Sequence, residues 1–421
     1  MLLSNIQSIL RGDVKPLQNQ FEFKSGDVFA GNISKIYPNQ TAVVKVGNQN
    51  ILAKLEAPII NGGKYWFQAS TKEGEIHLKI LSPLSMENQT QDSILKQLSL
   101  PNSKIFKELT VFLAKEQIPL PKESILKAGQ WIEHQNNTKE GFEALKYMVE
   151  KDFPFSESIY KSLKEVLSPK APIQTLLQNL ESQLIAEPKT KTVQALLSTL
   201  ESIQLKDLDA NNKESVPQIL LSLLKKTTSK MGLFYEADIL ANIEDNKSLE
   251  NSMKPLLVKY LQETGHTLET KELAEQIINK MNGQQLLSHS NTPYQHIVYQ
   301  LPLQLFGFQT ELTMQWSGKR KEDGKIDPDY CHVLFYLELE HLKETIVDMK
   351  VQNRIISIKI INNNEQLQNM AKLILPKLKQ GLKDLNYTLS AIQFEHSSNN
   401  EVQKSLSNSV INQYSGVDIR I

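Results

Sequence analysis

The stretch that decides the fold of the C-terminal third is "HVLFYLELEHLKETIVDMKVQNRIISIKI", residues 332–360. Its residues alternate apolar and polar through three runs, which is the period of β-strands that bury one face. Turns near Leu342-Lys343 and near Gln352-Asn353 separate the runs. The sequence therefore predicts three successive strands. Their common apolar row is formed by Val333, Phe335, Leu337, Leu339, Val347, Met349, Val351, Ile356, Ile358 and Ile360.

The segments on both sides extend this predicted sheet. Upstream, "HIVYQLPLQL" and "FQTELTMQWSG" have the pattern of a strand pair, and downstream "YTLSAIQF" closes the sheet. Between them "EQLQNMAKLILPKLKQGLKDLN" predicts one long helix, whose apolar stripe we expect to lie on the apolar face of the sheet. Pro376 is expected to kink this helix or divide it, and Asn386 falls where a left-handed C-cap residue is wanted. The stripe consists of Leu367, Met370, Ala371, Ile374, Leu378, Leu382 and Leu385.

The N-terminal part has a different β pattern. Residues 26–81 contain short β-branched or aromatic runs separated by turn pairs such as Gly62-Gly63. About five strands with frequent turns predict a small closed barrel, because closure removes the exposed edges of an all-β unit of this size. Trp66, which lies between two other aromatic residues, is expected to be a large core residue of this barrel.

Between the two β-rich parts the period becomes helical, and apolar residues recur at spacings of three and four over some eight to eleven helices. The predicted fold class is therefore α+β multidomain. It comprises a small β-barrel domain over 1–83, an all-helical region over 93–290, an α+β domain over 291–395 whose sheet is covered by one long helix, and a Ser/Asn-rich tail over 396–421.

Composition excludes several broad classes of protein. Of 421 residues, 47 are Lys or Arg and 47 are Asp or Glu, so the formal net charge is zero and exerts no general attraction for nucleic acid or anionic lipid. The one cysteine, Cys331, allows no intrachain disulfide. No apolar run approaches the roughly 18 residues needed to span a bilayer, and the start lacks the basic region of a secretory signal. We expect a cytoplasmic chain without direct membrane insertion.

No motif in the sequence predicts catalytic residues, a metal site, a cofactor or a small-molecule substrate. Around Lys319 the Gly-Lys pair of a P-loop is present, but Thr313 stands where the first glycine is needed and Arg320 replaces the Ser or Thr. Cys331 and His332 begin a strand, so their side chains should point to opposite faces. An enzyme with a site between the helical region and a terminal domain is unsupported, and it stays open as a rival hypothesis.

A second rival is a nucleic-acid-binding barrel, because small barrels can stack bases on aromatic side chains along a basic groove. Acidic residues such as Asp27 and Glu75 offset much of the local positive charge. We therefore interpret the aromatic residues as core and the lysines as scattered surface charges, and nucleic acid is not the expected partner. The residues concerned are Phe29, Tyr37, Tyr65, Trp66 and Phe67, with Lys35, Lys45, Lys54, Lys64 and Lys79.

Residues 333 to about 394 resemble the C-terminal domain of flagellar hook-length control proteins. The family pattern is an alternating strand, a Leu-Gly turn, two more strands, a leucine-spaced helix that ends at a glycine, and a closing strand. This chain departs from it at two turns, because Lys343 follows Leu342 and Asn386 follows the helix where the family has glycine. The upstream barrel and helical region are similar in layout to Gram-positive members of the family.

The resemblance implies a non-enzymatic role in the flagellar type III export apparatus. In the family, the C-terminal domain contacts the cytoplasmic domain of a membrane-embedded export-switch protein, and export then changes from rod and hook subunits to filament subunits. We expect that domain, or its paralogue, to be the partner here. The partner-facing residues would be Glu340, His341, Leu342 and Lys343, because an exposed turn can carry recognition.

The same resemblance implies that the chain acts in the cytoplasm or is exported through the flagellar type III apparatus. Family members that measure hook length by export have long, poorly structured middles, whereas this middle is a dense set of helices that would have to unfold in a narrow channel. A cytoplasmic paralogue with a non-flagellar scaffold role is therefore an alternative.

Overall fold

The computed structural model describes residues 23–37, 41–47, 49–55, 62–72, 75–84, 88–133, 138–167, 171–203, 216–240, 251–288, 294–305, 308–321 and 325–396. The chain divides into two compact units, the barrel unit (Val14–Leu167) and the sheet unit (Met1–Asp13 with Ser168–Ile421). This division passes through the helical region predicted over 93–290. The tail predicted over 396–421 lies, from residue 397 on, outside the described residues.

The barrel unit opens with five strands that close on themselves. They are β1 (Asp27–Ile36), β2 (Thr41–Val46), β3 (Gln49–Leu55), β4 (Lys64–Lys72) and β5 (Glu75–Pro83). The order is β1-β2-β3-β5-β4-β1, with β3 parallel to β5 and the other pairs antiparallel. The predicted closed barrel is confirmed. β1, β2 and β4 are paired on both sides along much of their length, whereas β3 and β5 meet through two residue pairs.

The interior of the barrel is filled by aromatic and β-branched side chains. Phe29 and Phe67 are fully buried, with ring centroids 5.9 Å apart. Trp66 is also buried, but it does not belong to the cluster that fills the barrel. Because side chains alternate between the two faces of a strand, Trp66 and its neighbour Phe67 point in opposite directions.

Five helices follow the strands in the described residues of the barrel unit. They are α1 (Asn88–Gln97), α2 (Lys104–Glu116), α3 (Lys122–Glu133), α4 (Thr138–Glu150) and α5 (Glu157–Leu167), and a two-residue strand, β6 (Leu120–Pro121), pairs with β1. α1 contacts β5 and α2 contacts β1, so the first two helices pack on the outside of the barrel.

In the described part of the sheet unit, six helices precede the sheet and one lies within it. The first six are α6 (Ile173–Ala186), α7 (Lys191–Ile203), α8 (Val216–Met231), α9 (Tyr235–Leu240), α10 (Met253–Gln262) and α11 (Leu268–Leu287), and the last is α12 (Leu367–Asp384). The strands are β7 (Tyr294–Leu305), β8 (Phe308–Arg320), β9 (Ile326–Leu339), β10 (Lys343–Gln352), β11 (Ile355–Ile361) and β12 (Thr388–Glu395). They form one sheet in the order β12-β11-β10-β9-β8-β7. The α+β multidomain class is confirmed.

Helices cover the β7 end of this sheet. α6, α8 and α11 all contact β7, and Leu301 of that strand belongs to a large buried cluster formed by the helices. A second cluster joins Leu223 of α8 to Leu303 of β7 and Leu312 of β8. The outer edge of β7 is closed by α11, because Ser288 just beyond that helix accepts a hydrogen bond from the Val298 backbone at 2.9 Å.

At the opposite end, α12 connects β11 to the parallel strand β12 and contacts mainly β12. It runs through Pro376 as one element, so the predicted division does not occur. Asn386 has φ 63°, and the Tyr387 amide bonds the Leu382 carbonyl at 2.8 Å, which confirms the predicted left-handed C-cap. The expected burial of the helix stripe on the sheet is wrong in detail, because no residue of α12 is buried. Because α12 lies at the edge of the sheet and packs mainly on β12, strands cover only one side of the helix.

Candidate partner-binding site

The four predicted site residues come together in the hairpin turn between β9 and β10. Leu339 pairs with Lys343, so Glu340, His341 and Leu342 form a three-residue turn. Lys343 has φ 57°, the left-handed conformation that closes such turns and that normally favours glycine. A lysine therefore occupies a turn position whose backbone conformation normally favours glycine.

Two of these side chains are held only weakly by their surroundings. The side chain of His341 is 89% exposed and that of Glu340 is 53% exposed, and their Nε2 and Oε2 atoms lie 3.9 Å apart. An exposed contact of this kind contributes little to stability. Both groups are therefore accessible to a partner at the tip of the hairpin.

The backbone of the turn, by contrast, is fixed by a residue that sequence reasoning missed. Asn362, just after β11, is 4% exposed, and its Nδ2 donates to the Leu342 carbonyl at 2.7 Å and to the Glu344 carbonyl at 2.9 Å. It also lies 2.9 Å from the Thr345 hydroxyl. The local signal was the run of three asparagines before the helix, but the partners of Asn362 lie about twenty residues away.

Asn362 also ties the turn to the start of α12. Its Oδ1 accepts a hydrogen bond from the Asn364 amide at 2.8 Å, and Asn364 in turn accepts one from the Gln366 amide at 2.9 Å. Asparagine side chains commonly bond a backbone amide two residues on in this way. The tip of the hairpin and the first turn of α12 are thus connected through two side chains.

α12 presents the second exposed feature, which we name the exposed stripe. Leu373 is 84% exposed and Ile374 is 65% exposed, values unusual for large apolar residues on one helix. The helix carries four lysines and one aspartate, so the stripe has a basic surround. The exposed stripe consists of Met370, Leu373, Ile374, Leu378 and Leu385.

Polar side chains on β7 to β10 lie close to one another without forming a catalytic relay. His332 Nε2 is 2.6 Å from Asp348 Oδ1, and both groups are buried. Burial alone would raise the pKa of Asp348, but the hydrogen bond and the charge of His332 lower it. The Ser317 hydroxyl lies 2.7 Å from Nδ1 of a different residue, His296. Ser317 therefore bonds a histidine other than the one that bonds Asp348, and the three side chains do not form a Ser-His-Asp triad.

A buried group of ionisable side chains lies where three helices of the sheet unit meet. The side chain of His266 is 1% exposed, with Nδ1 3.1 Å from Glu187 Oε2 and Nε2 3.1 Å from Glu263 Oε2, and the Tyr260 ring stacks on it at 4.2 Å. Burial would raise the pKa of Glu187, but hydrogen bonds from Thr267 and His266 lower it to about 2. These two carboxylates follow the ends of α6 and α10, and Thr267 caps α11. The arrangement is a buried helix junction.

The barrel residues considered for nucleic acid fall into different environments. Phe29 and Phe67 are buried inside the barrel, whereas Trp66, Lys45 and Lys64 line one cleft on its outside. Strands β2 and β3, which bind oligonucleotides in many five-stranded barrels of this kind, contain no aromatic residue. Lys54 on β3 bonds Glu75 at 2.6 Å.

The described residues contain neither a candidate metal site nor a helix that could span a membrane. In the described ranges, no three His, Cys, Asp or Glu side chains gather in a way that could hold a metal ion. Across the same part of the chain, no helix combines the length and apolar character needed to cross a bilayer.

Comparison with known proteins gives one similarity. The chain is 32% identical over 177 residues to YlqG of Bacillus subtilis (strain 168), whose name describes it as an uncharacterized protein. The matched segment covers 41% of this chain and 31% of that relative's length. No protein-family model matches the chain, and no solved structure matches it.

Proposed function

We propose that this chain is a non-enzymatic interaction protein that acts on the substrate-specificity switch of a flagellar type III export apparatus. It would bind the cytoplasmic domain of the export-switch membrane protein, or of its paralogue, through the β9–β10 turn and the exposed stripe. The resemblance of residues 333–394 to hook-length control proteins supports this choice of partner.

The observation that carries the proposal is the exposed stripe beside a fixed turn. Monomeric proteins rarely leave a continuous row of large apolar side chains in water, and such a row typically marks a protein-binding surface. A helix with this pattern fits a hydrophobic groove on its partner, and the lysines around the stripe favour a groove with an acidic rim. Asn362 holds the turn in place beforehand, so little entropy is lost when it binds.

The packing of the middle region favours the cytoplasmic alternative over export. α6, α7, α10 and α11 share one large buried cluster that also includes Leu301 of β7. Passage through a narrow channel would require this cluster to unfold, at the cost of its buried apolar area. A paralogue that stays in the cytoplasm and serves as a scaffold is therefore the second candidate function.

The proposal is tested by calorimetric titration of the full chain with the export-switch cytoplasmic domain from the same genome. We expect saturable binding, and we expect Leu373→Asp to weaken it at least about tenfold, because a buried carboxylate would face an apolar groove. Leu268→Asp is the matched control, since Leu268 is 73% exposed on α11 of the same unit. Absence of binding by the wild-type chain, or an equal loss in the control, would refute the proposal.

A further inference from the structure

The barrel unit contains a cleft that the proposed function does not use. It lies between the outside of the barrel and helices α1 and α2 and has a volume of about 540 Å³. Trp66 and Leu84 from the barrel side and Ile94 and Ala114 from the helices contribute apolar surface to it. This size is in the range of small-molecule sites, which are largely apolar with a few placed polar groups.

The charged residues around the cleft are all of one sign. Lys45, Lys64 and Lys115 line it, and no aspartate or glutamate does. Two of these lysines face each other across β1, because Asn32 pairs with Lys45 of β2 on one side and with Lys64 of β4 on the other. Lys115 comes from α2, so the positive charges lie on both walls.

The carboxylates near the cleft are already bonded to other lysines. Glu116, next to Lys115, lies 2.7 Å from Lys146, and Asp92 on α1 lies 2.8 Å from Lys107. Among the described residues, no aspartate or glutamate forms a salt bridge with Lys45, Lys64 or Lys115. The cleft therefore has an uncompensated positive charge, which favours an anionic ligand.

Two further features indicate a preformed site. Asn32 lines the cleft, and its buried Oδ1 atom has no hydrogen-bond partner among the described residues, so the wall of the cleft contains an unsatisfied acceptor. Gln117, which caps α2 with φ 56°, accepts a hydrogen bond from the Gly47 amide at 3.2 Å. This bond fixes the end of α2 to the β2–β3 turn, and both residues line the cleft.

We propose that this cleft binds a small organic phosphate of the nucleoside di- or triphosphate class. The phosphates would lie among the three lysines, and the ring system would lie on the apolar surface beside Asn32. A small ligand is favoured over a peptide that adds a strand, because β1, β2 and β4, which line the cleft, are already paired on both sides.

The test is calorimetric titration of the full chain with ADP, ATP and AMP, and separately with pyrophosphate and a thymidine decanucleotide. We expect saturable binding of ADP or ATP at one site, which weakens as salt is added. AMP, with fewer charges, and pyrophosphate, without the ring, should each bind at least about tenfold more weakly, the equivalent of one lost charged hydrogen bond. Binding of the decanucleotide with no binding of ADP or ATP would overturn the proposal.

Three variants locate the site. The double change Lys45→Gln and Lys64→Gln should weaken ADP binding at least about tenfold, whereas Lys79→Gln, on an exposed position of the same barrel outside the cleft, should stay within about twofold. Ala114→Leu keeps every charge and puts a larger side chain into the apolar wall of the cleft, so it should weaken ADP binding at least about tenfold while the far-ultraviolet circular dichroism stays unchanged. Equal losses for Lys79→Gln, or full binding by Ala114→Leu, would refute the cleft as the site.

Discussion

The two ends of the six-stranded sheet differ in how they use amphipathic helices. At the β7 end, the apolar faces of α6, α8 and α11 meet one another and the strand, and Leu180 and Ile277 are fully buried. At the β12 end, α12 has the same kind of apolar pattern, yet Leu373 and Ile374 are exposed. A periodic pattern thus identifies an apolar face, but a second element must be present to bury it.

The apolar side chains at the two ends of the sheet therefore contribute to different properties of the unit. The β7 end has several helices that cover each other and the strand edge, so its burial contributes to stability. The β12 end has one helix, and its exposed stripe contributes little to folding. Substitutions at the two ends should therefore affect different properties, which gives four predictions about stability.

The largest effect is expected at the covered end, in the junction around His266. His266→Ala removes one hydrogen-bond partner from each of Glu187 and Glu263 and leaves a cavity beside the Tyr260 ring, which together should cost about 3–5 kcal/mol. The free energy of unfolding is measured by urea denaturation of the full chain. His341→Ala, at the exposed turn, is the matched control and should change stability by less than about 0.5 kcal/mol. Similar values for the two variants would contradict the comparison.

A pair of leucine truncations tests the two apolar faces directly. Leu180→Ala removes a fully buried side chain of α6 and should cost about 3 kcal/mol. Leu373→Ala removes a side chain from the exposed stripe and should cost less than about 0.5 kcal/mol. The same urea titration measures both. If Leu373→Ala proves as damaging as Leu180→Ala, the stripe is part of the core and the docking surface fails with it.

An intermediate effect is expected at Asn362, which belongs to the exposed end but is itself buried. Asn362→Ala leaves the carbonyls of Leu342 and Glu344 without their donor, which should cost about 1–3 kcal/mol. Hydrogen exchange should also become faster in the 340–343 turn. Asn369→Ala, an exposed asparagine of α12, serves as the control. Unchanged exchange in the turn would show that Asn362 does not hold it.

The smallest effect is a gain in stability at Lys343. Because this residue has φ 57°, Lys343→Gly removes a backbone strain and should stabilise the chain by about 0.5–1 kcal/mol. Lys350→Gly, inside β10, should instead destabilise by about 0.5–1 kcal/mol, since glycine weakens a strand interior. The measurement is the thermal midpoint of each variant. Loss of stability in Lys343→Gly would mean that the lysine side chain itself supports the turn.

The identity of the partner and the stability of the variants are tested by independent measurements. If both leucine truncations behave as expected and the export-switch domain does not bind, the exposed stripe remains a surface without that partner. A binding result together with a damaging Leu373→Ala would instead place the partner contact elsewhere in the sheet unit. The two measurements thus separate the role of the stripe from its partner.

The sequence by itself determined the features that depend on local pattern. Alternation of apolar residues predicted β10 and β11 close to their observed bounds and the second half of β9, and turn residues predicted the closed barrel. The first residues of β9, from Ile326, were predicted as a charged loop, because charged residues and Pro328 mask the alternation there. Backbone chemistry placed a left-handed residue at Asn386, as observed. Each of these follows from sterics and periodicity within a few neighbouring residues.

Only the tertiary structure decided which surfaces are covered and which distant groups meet. The Asn362 side chain donates hydrogen bonds to the Leu342 and Glu344 carbonyls. Lys45 and Lys64 lie on either side of Asn32 in neighbouring strands. His266 contacts carboxylates that follow the ends of two other helices. Such contacts depend on how elements far apart in the chain pack together. The apolar stripe of α12 was visible in the sequence, but its exposure was not, because periodicity records what a face prefers and not whether another element lies against it.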